Sequence, residues 1–390
     1  MKIEGKNATI FKVVALALWL GVMVFAGKAF YDHRNWKETV VLGPGVTSTR
    51  SLHEWFAPLA GSTNDCNVYV LDSGVPGATI LVLGGTHPEE PASNLAAELL
   101  VENARPTSGR LMVVIHTNRS ASTVTRPGEA YPQFYSIKTA WGQKKYRMGD
   151  RSANPLDSWP DPEAYVHFPS GQMLAYMDIR NINRTWPGRP DGLICERTSF
   201  AFMQMIRKEK VDLVIDLHEA ELEYPVIGTI VAHQKAQEIA AMASMELSAS
   251  EFRIGMEVSP KSLHGLSHRE IGDFSDATAL LFESPEPFLD RVRGATNEKL
   301  LLTGQDDFVF KAGKAGLLYW PIDEKGWPIE VRVGRHVATI EKVLEVWSMM
   351  YPEKPIAIDG LPSYTDLTEK GVGAFFADPS ALAKDKVALE

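Results

Sequence analysis

Cysteine is scarce in this chain of 390 residues: Cys66 and Cys195 are its two thiols. Two are too few for a disulfide scaffold or a structural zinc ribbon, and they leave open a single bond between them or two free thiols. An excess of positive charge is lacking as well. Forty basic against forty-nine acidic residues give a net charge of −9, the wrong sign for a protein whose main task is gripping a phosphate backbone, so nucleic acid is not the expected partner. Internal repeats are absent, and with 45% apolar and 23% charged residues the chain can bury a large core rather than stay disordered.

Long apolar runs are also few, and the one that stands out lies at the N-terminus. Lys2, Lys6 and Lys12 precede Val13 to Gly27, which carries no charge. A positive leader followed by an apolar stretch of this size reads as a signal peptide, with cleavage after Ala26 or Ala29, or as a retained anchor counted from Thr9, about 18 residues and the lower edge of a membrane span. Residues 1–30 are therefore set apart from the fold, and the expected address is exported, either periplasmic or anchored to the membrane by this segment. Residues 31–64, with Gly43-Pro44-Gly45, read as a linker and lead-in. From 65 to 351 short apolar runs (Thr79 to Leu83, Leu111 to Ile115, Val211 to Leu217, Val226 to Val231, Thr278 to Phe282) alternate with helical stretches. This predicts one α/β domain with a largely parallel sheet, its strands buried on both faces. Residues 120–191, dense in Pro, Gly, Trp and Tyr, form a loop too long to be idle, and 286–332 are a second insertion. The tail, 352–390, is polar and Pro-interrupted and is expected to be loosely ordered.

Chemistry gathers where the apolar runs stop. Thr79 to Leu83 runs into Gly84-Gly85-Thr86-His87-Pro88-Glu89-Glu90, and Val211 to Leu217 ends on His218. In an open α/β sheet, ligands bind beyond the carboxyl ends of the strands. His-x-x-Glu spacing alone decides little, because His218 to Glu221 repeats it, but two histidines and a glutamate delivered from two strand ends make a three-ligand zinc site with water in the fourth position. Thr278 to Phe282 ends on Glu283, a carboxylate suited to take a proton. Asn181-Ile182-Asn183-Arg184 offers an Arg beside an amide, suited to a bidentate grip on a substrate carboxylate. His264 and His268 lie in a Gly/Ser-rich loop and are expected to stay out of the site; Asp216, Glu219 and Glu221 are expected to support or be solvated rather than to ligate.

In the order His-x-x-Glu, Asn-Arg, Asp-Leu-His, Glu, these stations resemble the zinc carboxypeptidase superfamily, and within it the branch of succinylglutamate desuccinylase and aspartoacylase. The resemblance spans roughly Thr79 to Phe288. It implies a central mixed, largely parallel sheet of about eight strands flanked by helices, one zinc per chain, and hydrolysis of an amide next to a carboxylate. His87, Glu90 and His218 match the zinc ligands, Asn183 and Arg184 the substrate-carboxylate pair, and Glu283 the general base that takes the proton of a zinc-bound water. There are departures: Pro88 and Glu89 stand where the deacylases carry Gly and Asn, and Asn181 stands where peptidase relatives carry Asp. The family's further Arg cannot be assigned by spacing among Arg147, Arg151 and Arg180.

The favoured reading is a zinc-dependent deacylase of an N-acyl amino acid or similar small amide, with a carboxylate-bearing small molecule as its partner and, if the N-terminal segment is uncleaved, membrane contact through it. An exported metallocarboxypeptidase or amidase acting on peptides or cell-wall fragments is the alternative. A noncatalytic binding protein on the same fold is a third.

Overall fold

The computed structural model describes residues 6–125, 131–289 and 295–390; residues 1–5 of the leader, with Lys2, 126–130 of the long loop and 290–294 of the insertion lie outside the described residues. The apolar runs become strands of one mixed sheet of eight: β1 (Val46–Ser51), β2 (Asn67–Asp72), β3 (Thr79–Leu83), β4 (Arg110–Val114), β5 (Leu213–Glu221), β6 (Thr229–Ala232), β7 (Gly255–Val258) and β8 (Thr278–Glu286). Their order is β7-β6-β8-β5-β3-β4-β2-β1. The pairs β7·β6, β8·β5, β5·β3 and β3·β4 are parallel and the other three antiparallel. The longer helices are α1 (Lys6–Asn35), α2 (Pro91–Asn103), α3 (Ile194–Glu209), α4 (Gln237–Ser250), α5 (Ser267–Phe274) and α6 (Ile329–Met350).

Successive strand residues face opposite layers, which is why the runs are continuous rather than alternating. Ile80, Val82, Ile215 and Leu217 pack with α2, α4 and α6, whereas Leu81, Leu83 and Val214 pack with Phe202 and Met205 of α3 and Ile271 of α5. Cys66 and Cys195 are both free and buried on the α3 side, where burial pushes the thiols up from their ordinary range. Parallel pairing in register sets Leu83 beside Asp216 and His218 beside Glu283, so the carboxyl ends of β3, β5 and β8 open on one edge.

Three segments differ from their sequence reading. The N-terminal helix does not stop near residue 30 but runs through Asn35, and its last turn docks: His33 is buried and Arg34 pairs with Asp157 at 2.6 Å. The 31–64 lead-in is structured, with Thr39–Val41 paired to Val387–Leu389 and β1 closing the sheet edge. The tail is ordered. Ala357–Asp359 pairs with Arg105–Ser108, a helix at Tyr364–Lys370 packs on α6, and Tyr69 donates from its hydroxyl to Glu390 at 2.6 Å. These pieces are too short to be stable alone, and each takes its hydrogen bonds from a partner distant in sequence.

The long loop is clamped in the same way. Its hairpin, Phe134–Thr139 with Gly142–Arg147, buries Lys144 against Glu98 and Glu102 of α2, while Glu102 also accepts from the Val41 and Ala377 main-chain N–H groups at 3.1 and 3.0 Å. Burial, with Glu102 adding to it and Lys144 opposing it, raises Glu98 to about 8. A carboxyl raised on folding takes up a proton as the chain folds, so its contribution favours the fold at acidic pH and is lost as pH climbs from the ordinary carboxyl range through about 8. Lys144→Met, which strands two buried carboxylates, is expected to cost about 3 to 5 kcal/mol in denaturant unfolding at pH 8. The loss should shrink at pH 5; a loss independent of pH would contradict this account.

Candidate metal centre

After β3 the chain must turn sharply to start α2. Gly85 takes φ 59°, and a Cβ there would meet the Asn94 side chain at 2.4 Å and the Ile115 carbonyl at 2.6 Å. The turn delivers Thr86 to Glu90, and Pro91 opens α2 where no N–H is needed. Glu90 sits at the N-cap, where the positive end of the helix favours a carboxylate.

Its carboxylate is the meeting point of the site. Oε1 lies 2.7 Å from His87 Nδ1, and Oε2 lies 3.0 Å from His218 Nδ1 and accepts the Glu219 N–H at 2.9 Å. The two imidazoles stand edge to face, 4.7 Å between centroids. Each turns its other nitrogen outward: His87 Nε2 to Asn181 Oδ1 at 2.9 Å, His218 Nε2 towards Asp216 Oδ2 at 3.1 Å. Asp216 is itself held by the Thr86 hydroxyl at 2.7 Å and by Ser267. An acceptor behind each Nε2 fixes both rings with Nδ1 inward: without an ion each Nδ1 meets Glu90 as a hydrogen-bond donor, and with an ion bound the Nε2 side would keep the proton and free Nδ1 to ligate. One ligand atom from each of His87, Glu90 and His218 lies within 4.8 Å of the others, so these three, predicted as ligands, come together as a set that could hold a metal ion. Two imidazoles and one carboxylate leave a further coordination position open. With these groups alone, burial lowers His87, though Glu90 opposes it, while Asp216 and Glu90 override burial to raise His218.

A cavity of about 450 Å³ opens over this cluster. Glu283 reaches it from β8, and its Oε2 is buried with no hydrogen-bond partner among the described residues. Burial, assisted by Glu90 and Glu221 and opposed by His218, raises this carboxyl to about 8. Asn183 and Arg184 line the same cavity. Asn183 Oδ1 accepts the Ser267 N–H at 2.9 Å, tying the loop to α5, and Arg184 donates to the Asn183 carbonyl at 2.8 Å. Burial lowers Arg184 from its ordinary value, opposed by Asp178 and assisted by Arg151.

Of the three arginines that spacing could not rank, Arg151 is the one in the cavity wall, donating to Glu89 at 3.0 Å with Nη2 3.8 Å from Glu90. Arg180 pairs with Asp161 at 3.1 Å, and Arg147 lies 3.5 Å from Glu38, both away from it. His268, expected to stay out, is in the wall, with Nδ1 2.8 Å from the Ser259 hydroxyl; the start of α5, fixed by Asn183, puts it there. His264 instead meets Glu270 at 2.9 Å. Asp216 supports His218, and Glu219 holds Arg332 at 2.8 Å and the Ala92 N–H at 2.7 Å, while Glu221 is on the cavity wall. Tyr224, just past β5, also lines the cavity and carried no signal in the sequence.

No family model matches the sequence, and no curated protein matches it. Among solved structures the chain is similar to a succinylglutamate desuccinylase from Silicibacter sp. (15% identity, 56% of this chain and 53% of that one, TM-score 0.34). It is similar to a metallo-carboxypeptidase from Burkholderia cenocepacia (13% identity, 84% and 68%, TM-score 0.43) and to an aspartoacylase family protein from Mesorhizobium loti (17% identity, 64% and 63%, TM-score 0.34). The chain spans about half the length of the first of these. What the site can do is read from its own residues.

Elemental analysis of the purified chain is expected to find about one divalent ion per chain, lost in His87→Ala. Asn181→Ala, which removes only the acceptor behind His87, should weaken the ion's affinity about 10- to 100-fold in chelator competition.

Proposed function

We propose that the chain is a zinc-dependent hydrolase that cleaves an amide next to a carboxylate, with an N-acyl amino acid or a similar small amide as substrate. The observation that carries this reading is a buried His87, Glu90 and His218 cluster sharing one cavity with the Glu283 carboxylate, whose Oε2 has no hydrogen-bond partner among the described residues, and the guanidinium of Arg184. His87, Glu90 and His218 would hold the ion, and imidazole with carboxylate suits zinc. Such an ion, when bound, lowers the pKa of a water and polarises a carbonyl. Glu283 Oε2 takes the proton of the attacking water and delivers it to the leaving nitrogen, so the acyl carbon gains hydroxyl and the amine leaves neutral. Arg184, partly desolvated, pairs with the substrate carboxylate; Asn183 presents it by fixing the loop on α5. Arg151 stands near Glu90 and faces charge developing on the carbonyl oxygen.

A volume of about 450 Å³ suits one small ligand, which favours the deacylase over a peptidase with several subsites. One observation favours the second reading, an exported amidase acting on peptides or cell-wall fragments: the uncharged stretch of α1 before its docked last turn is apolar and unburied, as an export signal or anchor would be.

Glu283→Gln is expected to keep the metal and to lower kcat about 10²- to 10⁴-fold against N-acyl amino acids. Unchanged turnover would remove Glu283 from the mechanism, and metal binding with no turnover of amides in the wild type would favour a binding protein. Arg184→Ala should raise KM strongly for substrates with a free carboxylate and little for their neutral amides. Equal losses on both would contradict its role.

A further inference from the structure

At the foot of α1, on residues with no part in the metal centre, lies a second cavity of about 200 Å³. Four cations line it: Arg34, Lys37, Arg119 and Arg147, with the Ser62, Thr63 and Thr123 segments between them. Their charge is only partly matched. Arg34 pairs with Asp157 at 2.6 Å, and Arg147 Nε lies 3.5 Å from Glu38, which also engages His116 at 2.9 Å. Arg119 Nη1 reaches only the Asp65 carbonyl, at 3.4 Å, and among the described residues neither it nor Lys37 has a carboxylate partner. Arg147 is 4% exposed, and its Nη2 has no hydrogen-bond partner among the described residues. Burial, with Arg119 and Arg147 close by and Glu390 opposing, holds Lys37 below its ordinary value. Four cations face Asp157 and Glu38, with Glu390 acting on Lys37 without pairing with it, and the buried Arg147 donor left over asks for an anion with several acceptor oxygens.

We propose that this cavity binds a phosphate group. Its position favours an anionic lipid headgroup as the source. The uncharged part of α1 ends at Gly27, and Arg34 stands seven residues on, about 10 Å along a helix. That places Arg34 at the outer limit of the headgroup layer, which reaches about 5 to 8 Å beyond the hydrocarbon core. Phe30 and Tyr31 are exposed on this stretch, as interfacial aromatics are. Leu156 and Trp159, which flank the Asp157 that holds Arg34, are each 78% exposed and would enter the same layer. α1 would then stay as an anchor whose last turn, locked to the body through His33 and Arg34, keeps the cavity at the membrane surface.

The test uses the full chain in a neutral detergent and titration calorimetry with three probes: inorganic phosphate, dihexanoyl phosphatidylglycerol below its micelle threshold, and uncharged dihexanoylglycerol. Saturable binding of either phosphate probe, weakened at least tenfold in Lys37→Gln/Arg119→Gln, is the expected result. Tighter binding of the phosphatidylglycerol identifies a lipid as the source, and tighter binding of free phosphate identifies a soluble one. The proposal is overturned if neither phosphate probe binds the wild type, if the double variant binds undiminished, or if dihexanoylglycerol binds as tightly as its phosphate ester. Unchanged metal content shows that the double variant is folded. Should it fail to fold, Lys37→Gln alone, at a partly exposed position, decides by the same criterion.

Discussion

The arrangement depends on one buried carboxylate. Glu90 is removed from water, and a carboxylate in that position is tolerated only if it is matched by positive or hydrogen-bonding groups. It has three, the Nδ1 edges of His87 and His218 and the N–H of Glu219, supplied by two separate constraints. His87 comes from the same turn, through the left-handed Gly85. His218 and Glu219 come from β5, held against β3 by parallel pairing that sets Leu83 beside Asp216. A one-residue slip between β3 and β5 would turn His218 to the other face of the sheet and leave Glu90 unmatched.

The supporting layer extends this demand outward. Asp216 keeps its charge while buried because Thr86 and Ser267 donate to it and His218 lies beside it; those contacts hold it below the usual carboxylate range despite burial. Ser267 also gives its N–H to Asn183, so one residue at the start of α5 joins the ligand support to the loop that carries Arg184. Asn181 differs in kind. A neutral amide fixes the His87 tautomer as well as a carboxylate would, yet it adds no negative charge, so His87 is the less basic of the two imidazoles; the opposite shifts of His87 and His218 follow from that asymmetry.

What was legible in the sequence is what local pattern and strand ends encode. The runs ending at Leu83, Leu217 and Phe282 announce strands buried on both faces, and the polar residues just beyond them had to share one sheet edge once those strands were parallel neighbours. The eight-stranded mixed sheet follows the expectation. The illegible parts rest on contacts between distant segments. Thr39–Val41 is a strand only because Val387–Leu389 lies beside it, and the tail is ordered because Tyr69 and Glu102 await Glu390 and Ala377. Arg151 could not be told from Arg147 and Arg180, since all three fall within the long 120–191 segment and differ in which carboxylate the fold brings to each. His268 looked like a loop residue because what fixes it, the Asn183 to Ser267 hydrogen bond, spans more than eighty positions.

The distribution of charge adds an argument that neither cavity gives alone. In a chain with a net charge of −9, carboxylates outnumber cations, and a buried or half-buried cation ordinarily finds one. Arg332 does so with Glu219, Lys144 with Glu98 and Glu102, Arg110 with Glu209. Arg184, by contrast, spends its Nη1 on a main-chain carbonyl, as does Arg119 at the foot of α1, and Lys37 has no carboxylate partner among the described residues. Lys37 is exposed and hydrated, so the cost of an unmatched charge falls on the buried or half-buried guanidinium groups, which an anion from outside would complete. One group faces the cavity over the metal-ligand set and the other faces the end of the apolar helix. The two are separate in the fold, so the anions proposed for them, a substrate carboxylate at the first and a phosphate at the second, are independent.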